Sequence, residues 1–599
     1  MNSNLRHETV NTQLCIVGGG LSGAFAALAA ARQGRSVVLI QDRPMLGGNA
    51  SSEIRMWVRG AKGRFDRESG YISELEQRNI YGNPTLVHSL FDATLYGMLA
   101  ENKNIRILLN TTCVDAEMNG NKIKSVKAWQ MTTYTWFTVE AEIFADCSGD
   151  SILAPICGAE YRKGREAKSE FGETLAKDTA DECTMGMSVI LAARETDAPV
   201  KFTPPSFATV YPTDECFAGN GGEDDIHAQI REHIVGTSRG NLWWVELGGN
   251  MDSIHDSDRV REKLIANIYG VWDHIKNRGD HGMENWDLEW VGFLPGKRES
   301  RRYVGDIIVT EHDIVSGGHF EDEIAYGGWP MDDHNPFGME QNDRNNTAST
   351  MIPVNEIYGL PYRALYSRNI ENLMFAGRNI SVTHVALSST RVMATCALLG
   401  QAMGHGAAIA LKYGCAPRGV YEKHMDELQR NLLEDGIYLP HVPRKMSELT
   451  KKARLNISDV DREILFNGIE RPRKEYGENE IKQNIGDCLV FRFDKPEKIG
   501  TLRLRFDPDY SRESITPNLK MRVFAMKLHT GKDFVPVKVA ATLAKEFCVY
   551  ADGKEIYRVK DNYLELVRIP INTEAKEIKV EWVSTNGADE VGLFGADFV

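Results

Sequence analysis

Gly18, Gly20 and Gly23 stand in G-x-G-x-x-G spacing directly after the apolar run Leu14 to Val17. Glycine at these points permits a tight turn, lets backbone approach a pyrophosphate, and lets a helix pack close on a strand. Three other stretches carry small residues where a ligand could lie against backbone. They are Gly47-Gly48-Asn49-Ala50-Ser51-Ser52, Ser148-Gly149-Asp150 and Ala376-Gly377-Arg378. Side chains able to move protons or hold anions lie elsewhere. His334 follows Asp332 and Asp333, His384 sits in Ser381 to Arg391, and Arg298, Arg301 and Arg302 alternate with Glu299 and Ser300.

The surrounding pattern says which elements must position these residues. Residues 24–33 are Ala-rich and continue as a helix, Gly34 is a natural C-cap, and Val37 to Ile40 supplies the next strand. That is a β-α-β unit, the context in which the glycine pattern binds a dinucleotide. The helix N-terminus offers free N–H groups and a partial positive charge to phosphate. The competing reading is a glycine-rich turn that binds nothing. Leu86 to Asn102 has helical spacing, Ile105 to Leu109 is a strand, and residues 123–129 and 133–144 alternate as a meander around the turn Asn119-Gly120-Asn121. Residues 54–84, dense in arginine, read as solvated and partly helical. Leu242 to Leu247 reads as a strand. Val260, Leu264, Ile268, Val271 and Ile275 mark one face of a helix over Asp256 to Lys276, and Tyr421 to Asp435 is another helix. After residue 445 the runs 488–494, 499–506, 520–528, 534–542, 563–569 and 576–583 read as short strands of an antiparallel sandwich. The fold class is therefore α/β. A Rossmann-type nucleotide-binding domain covers 1–160 and 351–440, an inserted α+β substrate domain 161–350, and an all-β sandwich 445–599.

Bulk properties exclude several classes. The 599 residues are 42% hydrophobic and 26% charged, ordinary for a globular protein. The net charge is −14 with no basic tract, which argues against nucleic acid as a partner. No apolar run reaches the roughly 18 residues of a membrane span. Met1 to Thr9 is polar and leaves no room for a signal-peptide core, so the cytoplasm is the expected compartment. None of the ten cysteines forms C-x-x-C or stands with histidines at zinc spacing. Neither a redox disulfide nor a metal centre is expected.

The phrases Leu-Gly-Gly-Asn-Ala-Ser-Ser-Glu (46–53), Gly-Arg-Asn-Ile-Ser-Val-Thr-His-Val-Ala-Leu (377–387), Ser-Ser-Thr-Arg-Val-Met (388–393) and Pro-Gly-Lys-Arg-Glu-Ser-Arg-Arg (295–302) carry a family likeness. The chain resembles bacterial FAD-dependent oxidoreductases with a nucleotide domain of the glutathione-reductase type, over residues 10–440. The tail resembles galactose-binding-like sandwich domains. The resemblance implies that Gly18, Gly20, Leu21, Ser22 and Gly23 hold the FAD pyrophosphate. A carboxylate usually meets the adenosine ribose at the end of the second strand; here Gln41 stands in that place, with Asp42 next to it. Arg43 with Gly47, Gly48, Asn49, Ser51 and Ser52 would run along the pyrophosphate and ribityl chain. Val114 would lie over adenine through its backbone, with Gly149 and Asp150 closing that side. Gly377 and Arg378 would approach the ribityl chain, and a helix starting near Thr390 and Arg391 would aim its N-terminus at the flavin pyrimidine carbonyl.

An alcohol that gives hydride to flavin must lose a proton, so a base is needed beside the ring, and histidine has a suitable pKa. His384 is the first candidate and His334 the second. Arg298 and Arg302 suit carboxylate, phosphate or sugar hydroxyls. Trp243, Trp244, Trp286, Trp290 and Trp329 would suit sugar stacking, or else form core. With no second G-x-G-x-x-G, a nicotinamide domain is disfavoured, and the electron acceptor is unassigned. The expected function is hydride transfer from a polar hydroxylated small molecule, a sugar or its derivative, to flavin. A lyase or glycosidase working by transient oxidation and a non-catalytic carbohydrate-binding flavoprotein are the alternatives. An oligomer is compatible with all three.

Overall fold

The computed structural model describes residues 5–63, 65–217, 241–278, 281–340, 349–510, 512, 532 and 534–599. Strand β1 (Arg6–Val17) ends in the glycine turn that opens α1 (Leu21–Arg32), and β2 (Val37–Ile40) returns parallel to β1. Helices α2 (Tyr71–Gly82) and α3 (His88–Ala100) follow, then β3 (Ile105–Leu108), β4 (Thr111–Asn119), β5 (Lys122–Gln130) and β6 (Thr135–Asp146). The sheet order is β3-β2-β1-β6-β5-β4. β6 runs parallel to β1 over nearly its whole length, while its first half pairs antiparallel with β5. The meander is thus hung on the parallel sheet through one shared strand.

The segment expected to form one inserted domain divides between two cores. β7 (Met187–Glu195), β8 (Asn241–Leu247) and β9 (Trp286–Val291) form an antiparallel sheet with the short β10 (Gly296–Lys297). Helix α4 (Ser257–Asn277) packs on β7 and β8 through the five residues that the periodicity marked, all buried. Trp286 belongs to this core. Tyr303, Ile324, Tyr326 and Met331 instead join the core of the first sheet. The two-stranded ribbon of β11 (Met331–His334) and β12 (Ser349–Ile352) therefore lies against the nucleotide-binding half.

β13 (Leu373–Phe375) closes the parallel sheet by pairing with the end of β6. Next come α5 (His384–Thr390) and α6 (Met393–Tyr413). α6 is long and apolar enough to cross a membrane by length and composition, but 94% of that stretch is buried inside the protein. Its partner is α1. A Cβ at Gly400 would stand 2.1 Å from the Ser22 carbonyl oxygen, and one at Gly404 2.3 Å from that of Ala26. Two glycines one turn apart let the helices touch backbone to backbone.

Three expectations are corrected. The region 54–84 is partly helical, through α2, but residues 67–69 at its centre are buried and not solvated: Arg67 lies against Glu76 at 2.6 Å, and paired charge is what lets arginine be buried. The helix expected over 421–435 is two, Pro417–Lys423 and Met425–Glu434, broken at His424. In the C-terminal sheet, runs 488–494 and 499–506 fuse into β15 (Cys488–Phe506), which follows β14 (Ile481–Asn484). Runs 563–569 and 576–583 likewise fuse into β18 (Leu566–Thr585), after β16 (Ala544–Ala551) and β17 (Lys554–Val559). The turn-like residues between these runs sit in bulges that keep the ladder going. With β19 (Glu590–Phe598) the order is β14-β19-β15-β18-β16-β17. Residues 534–540 are coil, and 520–528 lie outside the described residues.

Two measurements test this packing. Gly400→Ala is expected to cost about 1–3 kcal/mol of stability. Gly97→Ala in α3, where an added Cβ meets nothing within 4 Å, is expected to leave the melting temperature unchanged or raise it. Equal losses in both would sink the α1–α6 contact. Glu68 accepts from the Ala61 N–H and from Thr395 Oγ1 at the start of α6, and burial raises its pKa from 4.5 to about 7. A raised carboxylate favours folding fully below 4.5 and loses that advantage as pH rises through 7. Glu68→Gln is expected to flatten the stability profile between pH 5 and 8 by about 3 kcal/mol, read by denaturant melts at several pH values.

Candidate active site

The glycine turn is built by contacts that exclude side chains. Gly18 has φ +103, and a Cβ there would lie 2.4 Å from the Cys147 carbonyl carbon; one at Gly23 would lie 1.8 Å from the Gly18 oxygen. Gly20 caps α1 with no side-chain hydrogen bond and no acidic residue in the first turn, so the helix end is open to an anion. The second glycine stretch docks on the first: the Gly47 N–H donates to the Gly19 oxygen at 2.9 Å, and Gly47 (φ +105) bridges Gly20. Gly377 (φ +118) faces Ser22 on α1 from the far side. Arg378 lies against Gly149 and pairs with Asp150 at 3.0 Å. Four stretches distant in sequence thus surround one helix N-terminus. Arg378 Nε, beside Gly149, and Asn379 Oδ1, beside Gly377, are buried without a hydrogen-bond partner among the described residues, as are Arg43 Nη1 and Thr390 Oγ1. Glycine backbone, an open helix end and unspent polar atoms fit a dinucleotide.

Gln41 accepts from the Gly19 N–H at 2.7 Å and donates to the Met45 oxygen at 3.2 Å, so its amide ties the loop together and the exposed Asp42 is the carboxylate left for a ribose. Ser51 Oγ bonds the Gly48 oxygen, Ser52 Oγ meets Met45 Sδ, and Asn49 donates to the Lys297 oxygen at 3.0 Å; all three shape the loop. Val114 is the extra residue of a bulge in β4, where Cys113 and Asp115 face Ala128 and Lys127. Asp150 is held by Lys297 at 2.7 Å, Arg378 and Ser300 Oγ at 2.9 Å. The helix expected to start near Thr390 is α6, which starts at Met393, separated from α5 by Arg391 and Val392.

The chemistry-bearing side chains form two linked charge clusters. Arg302 has no exposed surface. It donates to Glu299, to Glu166 at 2.7 Å, and to the carbonyls of Gly164 and Val382. His384 opens α5, which Thr383 caps, and its N–H donates to Glu166 at 2.9 Å. Its Nδ1 lies 2.9 Å from Glu299 and its Nε2 3.1 Å from Asp333. Burial alone would lower its pKa, but Glu299 and Asp333 outweigh that and push it up to about 10. The ring is therefore an imidazolium at neutral pH, donating from both nitrogens, and in that form it has no lone pair with which to act as the expected base. In the second cluster Arg298 meets Glu246 at 3.2 Å and donates to Ser188, and His334 lies 2.8 Å from Glu246 and 3.3 Å from Asp332. Arg391 donates to the Asp332 backbone and carboxylate. Despite its burial, Asp332 is held well below the carboxylate range by His334 and Arg391, and His334 is shifted upward by Glu246 against its own burial. Alternation along β11 sends Asp332 and His334 to one cluster and Asp333 to the other. Asp333 keeps 41% of its side chain exposed, whereas His384, Glu299 and Arg302 are closed in. The Trp329 indole donates to Asp332, and Arg55 lies 4.1 Å above the Trp290 ring, so neither is an open platform.

Sequence reasoning found both histidines and both arginines but missed their anionic partners. Glu299 and Asp333 were visible as neighbours of chosen residues. Glu166 and Glu246 had no local signal. His384's contribution to stability is complete below pH 6.5 and is lost only as pH rises through 10. Its ring-carbon NMR signal is expected to stay constant from pH 6 to 8.5 and to begin titrating inside that window in Glu299→Gln. A wild-type midpoint near 6.5 would overturn the imidazolium assignment.

Comparison with known proteins follows from this geometry. Residues 13–432 match the family described as FAD dependent oxidoreductase. No curated protein matches the chain. Among solved structures, a geranylgeranyl bacteriochlorophyll reductase-like protein from Thermoplasma acidophilum is 13% identical, with 72% of this chain and 86% of that one covered at a TM-score of 0.31. A flavin-dependent brominase is 8% identical, with coverage of 71% and 86% and a TM-score of 0.34. The p-nitrophenol 4-monooxygenase from Pseudomonas putida is 10% identical, with coverage of 71% and 89% and a TM-score of 0.31. With the family match spanning most of its length, the chain belongs to the FAD-dependent oxidoreductases and is a flavin enzyme with FAD as its cofactor.

Proposed function

We propose that the enzyme oxidises a polar, hydroxyl-bearing small molecule, a sugar or its derivative among them, at the mouth of the His384 cluster. Bound FAD supplies the hydride acceptor. The reading rests on one observation: Asp333 is an ionised, partly exposed carboxylate whose hidden side is fixed by an imidazolium. Asp333 accepts the hydrogen bond of the substrate hydroxyl and receives its proton as the hydride leaves the adjoining carbon. His384 orients Asp333 and supplies a fixed positive charge. Arg391, with its Nε unspent, offers a second positive charge to the oxygen that becomes a carbonyl. The segment 297–302 supports the same geometry: Lys297 and Ser300 bond Asp150 at the nucleotide cradle, while Glu299 bonds His384. The C-terminal sheet takes no part in this reading.

Asp333→Asn is expected to retain FAD, with an unchanged flavin spectrum, and to slow substrate-driven anaerobic bleaching at about 450 nm by 100-fold or more. A polyol and sugar panel identifies the reducing substrate. Bleaching at the wild-type rate in Asp333→Asn would remove the carboxylate from the reaction.

A further inference from the structure

At the carboxyl-terminal end of α4, far in sequence from every glycine turn, two imidazoles and a carboxylate face one another. His274, on the last turn of α4, is fully buried. Its Nδ1 lies 2.9 Å from the Tyr211 carbonyl oxygen, which can only accept, so Nδ1 carries a proton. In the neutral ring Nε2 is then the lone-pair atom. It lies 2.9 Å from Asp214 Oδ1 and 3.2 Å from His281 Nε2, and His281 Nε2 lies 3.8 Å from Asp214 Oδ1. With His281 in the tautomer whose Nε2 carries the lone pair, three lone-pair atoms converge at separations of 2.9, 3.2 and 3.8 Å, an arrangement that a bound cation can occupy.

A metal ion answers all three. Ligands held tetrahedrally at about 2.0–2.1 Å stand about 3.3 Å apart, a value the three observed separations bracket. A single point lies roughly 2 Å from all three atoms, the distance zinc takes to imidazole and carboxylate. The carbonyl behind His274 Nδ1 is how a ligating imidazole is commonly oriented, with its other nitrogen turned toward the metal. We propose that Asp214, His274 and His281 bind one divalent transition-metal ion of the zinc class. Two imidazoles with one carboxylate favour such an ion over calcium or magnesium, which prefer oxygen ligands throughout. The Asp214 side chain is 62% exposed, which gives the ion its entry and leaves a fourth position for water. No cysteine takes part, which is why the cysteine spacing carried no sign of the site.

The ion ties the turn Asp214–Phe217 and residue 281 to the end of α4. α4 packs on β8, and β8 carries Glu246, the partner of His334 and Arg298. The site is a brace for the sheet beside the active centre.

The test uses the full chain with its FAD. After EDTA treatment and buffer exchange, Zn²⁺ or Mg²⁺ is added, bound metal is counted by mass spectrometry, and melting is followed. One equivalent of zinc and a higher melting temperature with Zn²⁺ but not with Mg²⁺ are expected. The double variant Asp214→Asn/His281→Gln changes rim groups and spares the buried His274. It is expected to melt like stripped wild type and to bind zinc at least about 100-fold more weakly. His255→Gln, an exposed imidazole elsewhere in this segment, should bind zinc as wild type does. Wild type that takes up no zinc and shows no shift, or a double variant that binds zinc as tightly as wild type, overturns the proposal.

Discussion

A guanidinium with no exposed surface holds the inserted segment to the nucleotide-binding half. Arg302 gives its donors to Glu299, Glu166 and two carbonyls, Gly164 on one side and Val382 on the other. Taking such a charge out of water costs several kcal/mol unless every donor finds an acceptor. Here the acceptors come from three separate segments, 164–166, Glu299 and Val382, so the group is tolerated only when all three are in place. Removing any one carboxylate leaves an uncompensated buried charge, which is more damaging than deleting a surface pair. The arrangement is better suited to specifying one geometry than to adding stability.

That geometry decides the electrostatics of the active centre. Charges alternate along Arg302, Glu299, His384 and Asp333, and again along Arg298, Glu246, His334, Asp332 and Arg391. Each internal member is flanked by opposite charge, so the members reinforce one another's ionised state. A histidine between two carboxylates is a fixed cation, not a proton acceptor. It also stands at the N-terminus of α5, where the helix dipole disfavours a cation. Glu166 and Glu299, both against His384, offset that penalty. Among these groups Asp333 couples the network to its surroundings, since its carboxylate is both bonded to His384 and partly exposed.

Local signals explain which features were legible from sequence. The β1-α1-β2 unit, the meander and α4 are set by patterns within about 30 residues, such as glycine spacing, alternation and the 3.6-residue apolar period. Gly18 and Gly23 of the G-x-G-x-x-G turn were readable because no other residue fits where a Cβ would strike backbone. Gln41 was legible as an exception but not as a loop tie, because its partner Gly19 is 22 residues away. Glu166 and Glu246 reach their arginines across 136 and fewer residues of intervening chain, and nothing near either glutamate marks it. The long C-terminal strands were misread as pairs because Pro and Gly inside a run look like turns. A bulge accommodates them without ending the ladder. The metal-type cluster joins residues 214, 274 and 281, a spacing with no short motif.

The C-terminal sheet is more than an appendage to this machinery. Arg503 on β15 is fully buried and donates to the carbonyls of Glu434 and Leu433 while pairing with Glu470. Arg471 lies 4.2 Å from the Tyr438 ring, 5.1 Å from Tyr510 and 5.3 Å from Tyr326, and donates to the Arg67 carbonyl. A guanidinium among three aromatic faces is a desolvated cation–π site, stronger than its exposed counterpart. Tyr326 itself donates to the Arg67 carbonyl at 2.7 Å. The next residue, Glu68, accepts from Thr395 at the start of α6, the helix that lies against α1 behind the glycine turn. The chain of contacts runs from the C-terminal region through residues 67–68 to the helix that backs the cofactor cradle. Arg471, just ahead of the C-terminal sheet, can thus help fix the cradle's position, because the residues it clamps are those bonded to the first turn of α6.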